Sequence, residues 1–305
     1  MATAERQIET PPATRPDASE EESRPDLFAE AKERLGLLER INIRFVRWST
    51  TFRPMHRLCG WLQRKPGATW VHYGSRHLRA VKGLERLPEF SELQSFVVVS
   101  NHRSYFDMFV ISMLLFRAGL KRRMFFAVRS VFFYDNPLGF FVNGIMSFWS
   151  MYPPFFRERR RATLNRTSLS ELVWTLKNTR SAVGLHPEGR RNPGDDPYTL
   201  LKAQAGVGRV ILESGAPVIP VYINGLSNDF LGQLKRNFRR TDDHMTVVFG
   251  EPIDFGDLRQ LPNEYKNHKV VSQFVLDKVG DLAKEERELR EALDRGERPA
   301  DVVTG

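Results

Sequence analysis

The sequence predicts an α/β domain with a central, largely parallel sheet flanked by helices, preceded by an N-terminal amphipathic helical element. Two observations lead to this prediction. Short apolar runs alternate with longer helical patterns between residues 70 and 262, and such alternation is typical of a parallel α/β sheet. The runs are nearly continuous in valine and phenylalanine, which indicates strands that are covered on both faces.

Composition divides the chain into four regions. Residues 1–26 hold seven acidic residues, three arginines and four prolines, and are predicted to be a disordered acidic tail. Residues 27–69 are predicted to be the amphipathic helical element, residues 70–262 the α/β domain, and residues 263–305 a C-terminal helix and tail. Cys59 is the one cysteine, which excludes an internal disulfide and a multi-cysteine zinc site. The first residues lack an apolar signal segment, so a cytoplasmic setting is expected.

The N-terminal element carries apolar residues near helical spacing from Leu27 to Trp48, with arginines and lysines on much of the opposite face. Pro54 is predicted to end this helix, and a shorter helical piece is expected over residues 55–64. A basic helix with phenylalanine and tryptophan on its apolar side can lie on a membrane surface. It can also pack on its own domain, and this segment alone favours that alternative.

The α/β domain contains five predicted strands, which are residues 95–100, 123–128, 181–186, 217–223 and 245–250. The predicted helices between them are residues 108–119, 163–178 and 204–215. A polar-faced helix with charge pairs at i,i+4 spacing is expected near residues 270–295.

Residues 136–156 form an uncharged stretch that is long enough to span a bilayer. Pro137, Pro153 and Pro154 disfavour a helical span, because backbone groups freed by proline find no water in hydrocarbon. A buried or membrane-facing apolar lining of a site is therefore favoured over a membrane-spanning helix. Packing of this stretch in the plain core of the domain is an equal alternative to such a lining.

The net charge of +9 favours an acidic partner, such as nucleic acid, anionic lipid, a phosphorylated metabolite or an acidic carrier protein. Charge alone does not choose among these partners. Nucleic acid is disfavoured, because the chain has neither interleaved aromatic and basic residues nor a recognised nucleic-acid-binding signature.

The stretch SFVVVSNHRSYFD, residues 95–107, carries the first candidate site. Ligands bind at the carboxyl ends of strands in a parallel α/β sheet, and His102 leaves the predicted strand at that end. Asp107 falls in the first turn of the next helix, so it can fold back onto one imidazole nitrogen and leave the other as a general base. A capping aspartate beside a surface histidine explains the pair equally well.

A second cluster, SAVGLHPEGRRNPG at residues 181–194, favours a catalytic site. Another apolar strand ends here in a polar loop with Glu188, Gly189, Arg190 and Arg191. Glycine permits close approach of the backbone to a ligand, and arginines offer forked donors to a phosphate.

Together the two clusters resemble the glycerolipid acyltransferases, the 1-acyl-sn-glycerol-3-phosphate acyltransferase (PlsC-like) family. NHRSYFD resembles the first motif of that family, N-H-x-x-x-x-D. HPEGRRN resembles the third motif, usually F-P-E-G-T-R-S, with His186 in place of the phenylalanine. GAPVIPVYI, residues 215–223, is similar to the fourth motif. The second motif is matched more loosely, by Arg129, Pro137, Gly139, Gly144 and Arg157.

The resemblance implies that an acyl group moves from acyl-CoA or acyl carrier protein to the free hydroxyl of a lysophospholipid, with 1-acyl-glycerol 3-phosphate as the standard acceptor. It implies that His102, oriented by Asp107, removes the proton of that hydroxyl, with no acyl-enzyme, no metal and no further cofactor. Arg191, together with Arg190, Arg157 or Arg129, is expected to hold the phosphate of the acceptor. Asn101 is included among the substrate-binding residues, and Glu188 and Gly189 are expected to shape the acceptor site.

The resemblance also favours membrane contact by the N-terminal helices, so a peripheral, monotopic protein at the cytoplasmic face of a membrane is expected. Two alternatives stay open at this point. A non-catalytic lipid-binding protein can use the same fold, and a thioester hydrolase can use the same histidine to activate water.

Overall fold

The computed structural model describes residues 24–27, 34–297, 299 and 301–304. The strands are β1 (Arg79–Lys82), β2 (Phe96–Ser100), β3 (Met124–Arg129), β4 (Met151–Phe155), β5 (Ala182–Leu185), β6 (Val218–Asn224), β7 (Met245–Phe249) and β8 (Val303–Thr304). The longer helices are α1 (Leu37–Thr51), α2 (Arg53–Leu62), α3 (Ala68–Ser75), α4 (Asp107–Arg117), α5 (Pro137–Ser147), α6 (Leu164–Asn178), α7 (Ala205–Ser214), α8 (Phe230–Arg239) and α9 (Tyr265–Asp294). Residues 1–23 of the predicted tail and residues 28–33 of the predicted first helix lie outside the described residues.

The strands form one sheet in the order β4-β3-β5-β2-β6-β7-β1-β8. The first five strands of this order are mutually parallel, β7 is antiparallel to β6, β1 is parallel to β7, and β8 is antiparallel to β1. The predicted α/β class with a largely parallel sheet is therefore confirmed. Because β2 and β5 are parallel neighbours, the polar loops that follow them leave the same edge of the sheet.

Strand β2 shows why the apolar runs form buried strands. All five of its residues are buried. Phe96 and Val98 pack in one core cluster with α4, while Val97 and Val99 pack in a second cluster with α6, α7 and α9. Alternate side chains therefore enter two different cores, as the period of two requires, and the strand is covered on both faces.

All five predicted strands and all the predicted helices of the domain are present within a few residues of their expected bounds. Strands β1, β4 and β8 were not predicted. Strand β4 has the sequence MYPPF, in which Pro153 and Pro154 lack backbone N–H donors. It lies at the edge of the sheet, where a strand tolerates proline.

The N-terminal helices pack against the β3–β4 side of the sheet. Helix α1 ends before Phe52, and Pro54 lies in the first turn of α2, as expected from the sequence. Ile43 and Val46 of α1 lie in a third core cluster with residues of β3 and β4. The side chain of Asn42 donates a 2.8 Å hydrogen bond to the backbone oxygen of Tyr134. Helix α3 crosses the predicted boundary between residues 69 and 70.

The uncharged stretch 136–156 is divided between a helix and a strand. Helix α5 is capped by Asn136, whose side chain accepts a hydrogen bond from the Leu138 N–H. Phe148 and Trp149 then adopt positive φ angles of 53° and 56°, which turn the chain into β4. Among the described residues, no helix is both long enough and apolar enough to cross a membrane.

Candidate active site

His102 and Asp107 lie close together at the carboxyl end of β2. The imidazole Nδ1 is 3.0 Å from the Asp107 Oδ2. That oxygen also accepts backbone hydrogen bonds of 2.8 Å from Arg103 and 2.9 Å from Ser104. The carboxylate therefore folds back from the first turn of α4 onto the imidazole, the geometry expected from the five-residue spacing.

The hydrogen bond to Asp107 determines which imidazole nitrogen is free. A carboxylate accepts a hydrogen bond from Nδ1–H, so Nδ1 carries the proton and Nε2 keeps its lone pair. Within the described residues no hydrogen bond involves the His102 Nε2, and this atom is not among the buried polar atoms that lack a partner. It is therefore open to solvent and can accept a proton from a bound hydroxyl.

Burial and nearby charge set the protonation state of the pair. Burial, together with the smaller effect of the positive charges of Arg191 and Arg157, lowers the pKa of His102 to about 4. Burial raises the pKa of Asp107 to about 6, against the effect of nearby positive charge and the backbone hydrogen bonds. At neutral pH the imidazole is accordingly uncharged and the carboxylate is ionised, which is the state that a general base requires.

Glu188 joins the loop after β5 to the loop after β2. Its Oε1 accepts a 2.8 Å hydrogen bond from the His102 N–H, and its Oε2 accepts a 2.9 Å bond from the Leu201 N–H. The backbone oxygen of His102 in turn accepts a 2.8 Å bond from the Asn192 N–H. Both carboxylate oxygens of Glu188 are thus used to hold the backbone beside the imidazole.

Asn101 and Gly189 also serve the scaffold of the site. The Asn101 amide donates a 2.8 Å hydrogen bond to the Ile223 backbone oxygen and accepts a 2.9 Å bond from the Ile223 N–H, so it ties β2 to β6. Gly189 has a φ of +65°, and an added Cβ would lie 2.7 Å from the Gln204 Cγ. A side chain at this position is strained by the backbone and crowded by its neighbour.

The four predicted arginines lie at the same edge of the sheet but differ in their contacts. The Arg191 guanidinium stacks over Tyr105, 4.6 Å from the ring centroid. Arg191 and Arg157 both lower the pKa of His102, so their charges lie near the imidazole. Arg190 and Arg129 are exposed. The charge of Arg129 helps to lower the pKa of Glu158. Within the described residues, no hydrogen bond or ion pair involves the Arg190 side chain.

His186 is a residue that sequence reasoning noted only as a departure from a motif. Its ring is stacked on the His102 ring, with centroids 3.9 Å apart and planes 8° apart. Parallel pairing of β2 with β5 brings the two histidines together. Each histidine lies within two residues of the end of its strand, and this shared location was the signal that could have predicted the contact.

His102, Asp107 and His186 form the candidate metal-binding group found among the described residues, with one possible ligand atom from each lying within 4.8 Å of the others. The Nδ1 atoms of both histidines and the Oδ2 of Asp107 already make hydrogen bonds inside the protein.

The carboxyl edge of the mostly parallel α/β sheet thus carries an aspartate-oriented histidine and several arginines. Comparison with known families makes the class specific, because residues 78–224 match the model described as Acyltransferase. The match extends from just before β1 to the end of β6. The resemblance found in the sequence motifs is thereby confirmed at the level of the family, as is the O-acyltransferase class.

Two further comparisons accompany the family match. No curated protein matches the chain in sequence. Among solved structures, the 1-acyl-sn-glycerophosphate (LPA) acyltransferase PlsC from Thermotoga maritima is similar over 81% of this chain and 95% of that chain, with 20% sequence identity and a TM-score of 0.45.

Proposed function

We propose that the protein transfers a fatty acyl group from a thioester, acyl-CoA or acyl carrier protein, to the free hydroxyl of a lysophospholipid. The observation that carries this proposal is the pair of His102 and Asp107, in which Nδ1 is bonded to the carboxylate and Nε2 is open to solvent. The match of residues 78–224 to the acyltransferase family model supports acyl transfer as the reaction.

The reaction needs one proton acceptor and no covalent intermediate. The His102 Nε2 removes the hydroxyl proton while the acceptor oxygen attacks the thioester carbonyl. The new ester bond forms, the carbon–sulfur bond breaks, and the thiolate leaves with the proton that the imidazolium returns. Asp107 stabilises the imidazolium while it exists. General-base assistance of this kind contributes about 10²–10⁴-fold to the rate.

The acceptor is proposed to carry a phosphate, with 1-acyl-glycerol 3-phosphate as the first candidate. Arg191 and Arg157 bring positive charge close to His102, so a phosphate held there leaves its neighbouring hydroxyl within reach of the base. The arginine fork suits a phosphate in geometry as well as in charge. The thioester donors are themselves acidic, which agrees with the basic net charge of the chain.

The experiment that tests this proposal measures thiol release from acyl-CoA and from acyl carrier protein with a panel of lysophospholipids. Release that requires an acceptor and yields its acylated product supports the proposal and identifies the substrate. Release without any acceptor would instead indicate a thioester hydrolase. Lipid binding without thiol release from either donor would indicate a non-catalytic lipid-binding protein.

We also propose that the protein binds a membrane surface through helices α1 and α5. Phe45 of α1 contacts Phe140 of α5 edge-on, with ring centroids 5.5 Å apart, so the two helices pack together. Both also leave large apolar side chains exposed, namely Leu37, Ile41 and Trp48 on α1 and Leu138, Phe141 and Ile145 on α5. Exposed apolar clusters of this kind mark interaction sites, and lipid is the partner that an enzyme acting on lysophospholipids must approach.

A matched pair of variants tests the membrane proposal. Phe141 and Ile145 are 64% and 72% exposed, so their replacement by serine removes apolar surface without opening the core. Tyr265 and Val270 of α9, 66% and 50% exposed, provide the control. The expected result is that the α5 double variant loses flotation with anionic liposomes while the α9 variant retains it. Equal flotation of both variants would contradict the proposal.

A further inference from the structure

His186 is held in a fixed orientation by the end of strand β2. Its Nδ1 lies 3.1 Å from the Ser100 backbone oxygen, 3.0 Å from the Asn101 backbone oxygen and 3.2 Å from the Ser100 Oγ. Carbonyl oxygens only accept hydrogen bonds, so Nδ1 carries the proton. The ring is therefore fixed at one edge by the same backbone that leads into His102.

The face of the His186 ring lies against the face of the His102 ring, 3.9 Å away between centroids and nearly parallel. Asp107 bonds to one edge atom of the His102 ring. One hydrogen bond fixes that edge but leaves the ring free to tilt about it. Contact with a fixed, parallel ring removes this tilt, so the two contacts together determine where Nε2 points.

We propose that His186 is a positioning residue for His102, whose stacked ring fixes the plane of the general base and excludes water from one of its faces. The inference rests on the proposed role of His102 as that base. The contact with His102 is made by the face of the ring, and the aromatic ring of a phenylalanine has a similar flat face. The role therefore belongs to the ring, and the Nδ1 contacts serve to hold the ring in place.

The charged and titratable groups that face His102 come from three loops and one helix. They are Asp107 of α4, Arg103 and Glu188 beside the backbone, His186 on the ring face, and Arg191 and Arg157 nearby. Burial, with the proximity of His102, lowers the pKa of His186 to about 3, so this ring is neutral at working pH. A neutral His186 ring acts on His102 by excluding water from it. This agrees with burial as the main cause of the low pKa of His102.

The test compares His186→Ala and His186→Phe in the full chain, using acyl transfer as a function of pH. We expect His186→Ala to lower kcat about 10–100-fold, the size of effect that a misplaced catalytic group produces, with little change in KM for the acceptor. Water that reaches the exposed ring face should raise the pKa of His102 above about 4, so the lower of the two protonation steps on the acidic side of the profile should move to higher pH. His186→Phe should restore most of kcat and return this step to its wild-type position.

A measurement without turnover separates this inference from the proposed function. The His102 Hε1 resonance, assigned by its loss in His102→Ala, is titrated in wild type, His186→Ala and His186→Phe. A higher pKa in the alanine variant alone supports the inference, and an unmoved pKa or an alanine variant with wild-type kcat overturns it. If His102→Ala itself leaves acyl transfer intact, the proposed function fails instead.

Discussion

The Oε1 atom of Glu188 accepts a 2.8 Å hydrogen bond from the backbone N–H of His102, across a separation of 86 residues in the chain. The contact joins the two polar loops at the carboxyl edge of the sheet. Since the other oxygen of Glu188 is bonded to Leu201, this side chain acts on the reaction through the position of His102.

Glu188→Gln tests this role. The amide keeps one acceptor but turns an NH₂ group toward a backbone N–H, so one buried donor loses its partner. We expect a loss of about 1–3 kcal/mol in the free energy of unfolding and a lower kcat. Urea unfolding and steady-state kinetics check this. Glu213→Gln, which changes a side chain paired with Arg209, is the control. Equal losses of unfolding free energy and of kcat in the two variants would contradict the positioning role of Glu188.

The coupling of His102 and Asp107 is tested by a double-variant cycle. Asp107→Asn keeps the shape of the side chain but removes the charge that stabilises the imidazolium, so kcat should fall by about 10²–10⁴-fold. His102→Ala should have a similar effect. Because the residues act as one unit, the double variant should be no slower than the slower single variant. If the loss of kcat in the double variant equals the product of the two single losses, the two residues act independently.

The pH dependence follows from the two shifted groups. Asp107, with its pKa raised to about 6, takes up a proton as the pH falls, and His102 follows near pH 4. Each protonation removes the competent state, so kcat/KM should be flat near pH 7 and above and should fall below about pH 6. A profile that reaches its plateau only above pH 8 would contradict these assignments.

Arg191 and Arg190 form a natural matched pair. Arg191 lies near His102 and stacks on Tyr105, whereas Arg190 is exposed. Loss of a charged hydrogen bond of about 1.5–3 kcal/mol should raise KM for a phosphate-bearing acceptor about tenfold or more in Arg191→Ala. It should also raise the pKa of His102, since a nearby positive charge is lost. Arg190→Ala should change both quantities much less, and equal effects would count against the phosphate site.

Much of the fold could be predicted because its strands are strongly apolar. The run Phe96–Ser100 is buried on both faces, and that environment leaves a clear pattern in the sequence. Strand β4 could not be predicted in the same way, because Pro153 and Pro154 are ordinarily strand breakers and only its edge position explains them.

The sequence indicated which residues form the candidate site, but it indicated less well what each residue contacts there. The spacing of His102 and Asp107 indicated their contact, because both lie within one strand–loop–helix unit. The scaffold contacts of Asn101 and Glu188 depend on which strands are neighbours in the sheet, as does the stacking of His186. Sequence spacing alone does not contain that information.

The measurement that tests the central claim most directly is acceptor-dependent thiol release from an acyl thioester by wild type and His102→Ala, with the acylated lipid identified by mass spectrometry. We expect wild type to form one thiol for each molecule of acylated lysophospholipid. The variant should be slower by at least about 10²-fold while keeping its fold by circular dichroism. A folded His102→Ala variant that transfers the acyl group at the wild-type rate would contradict the account.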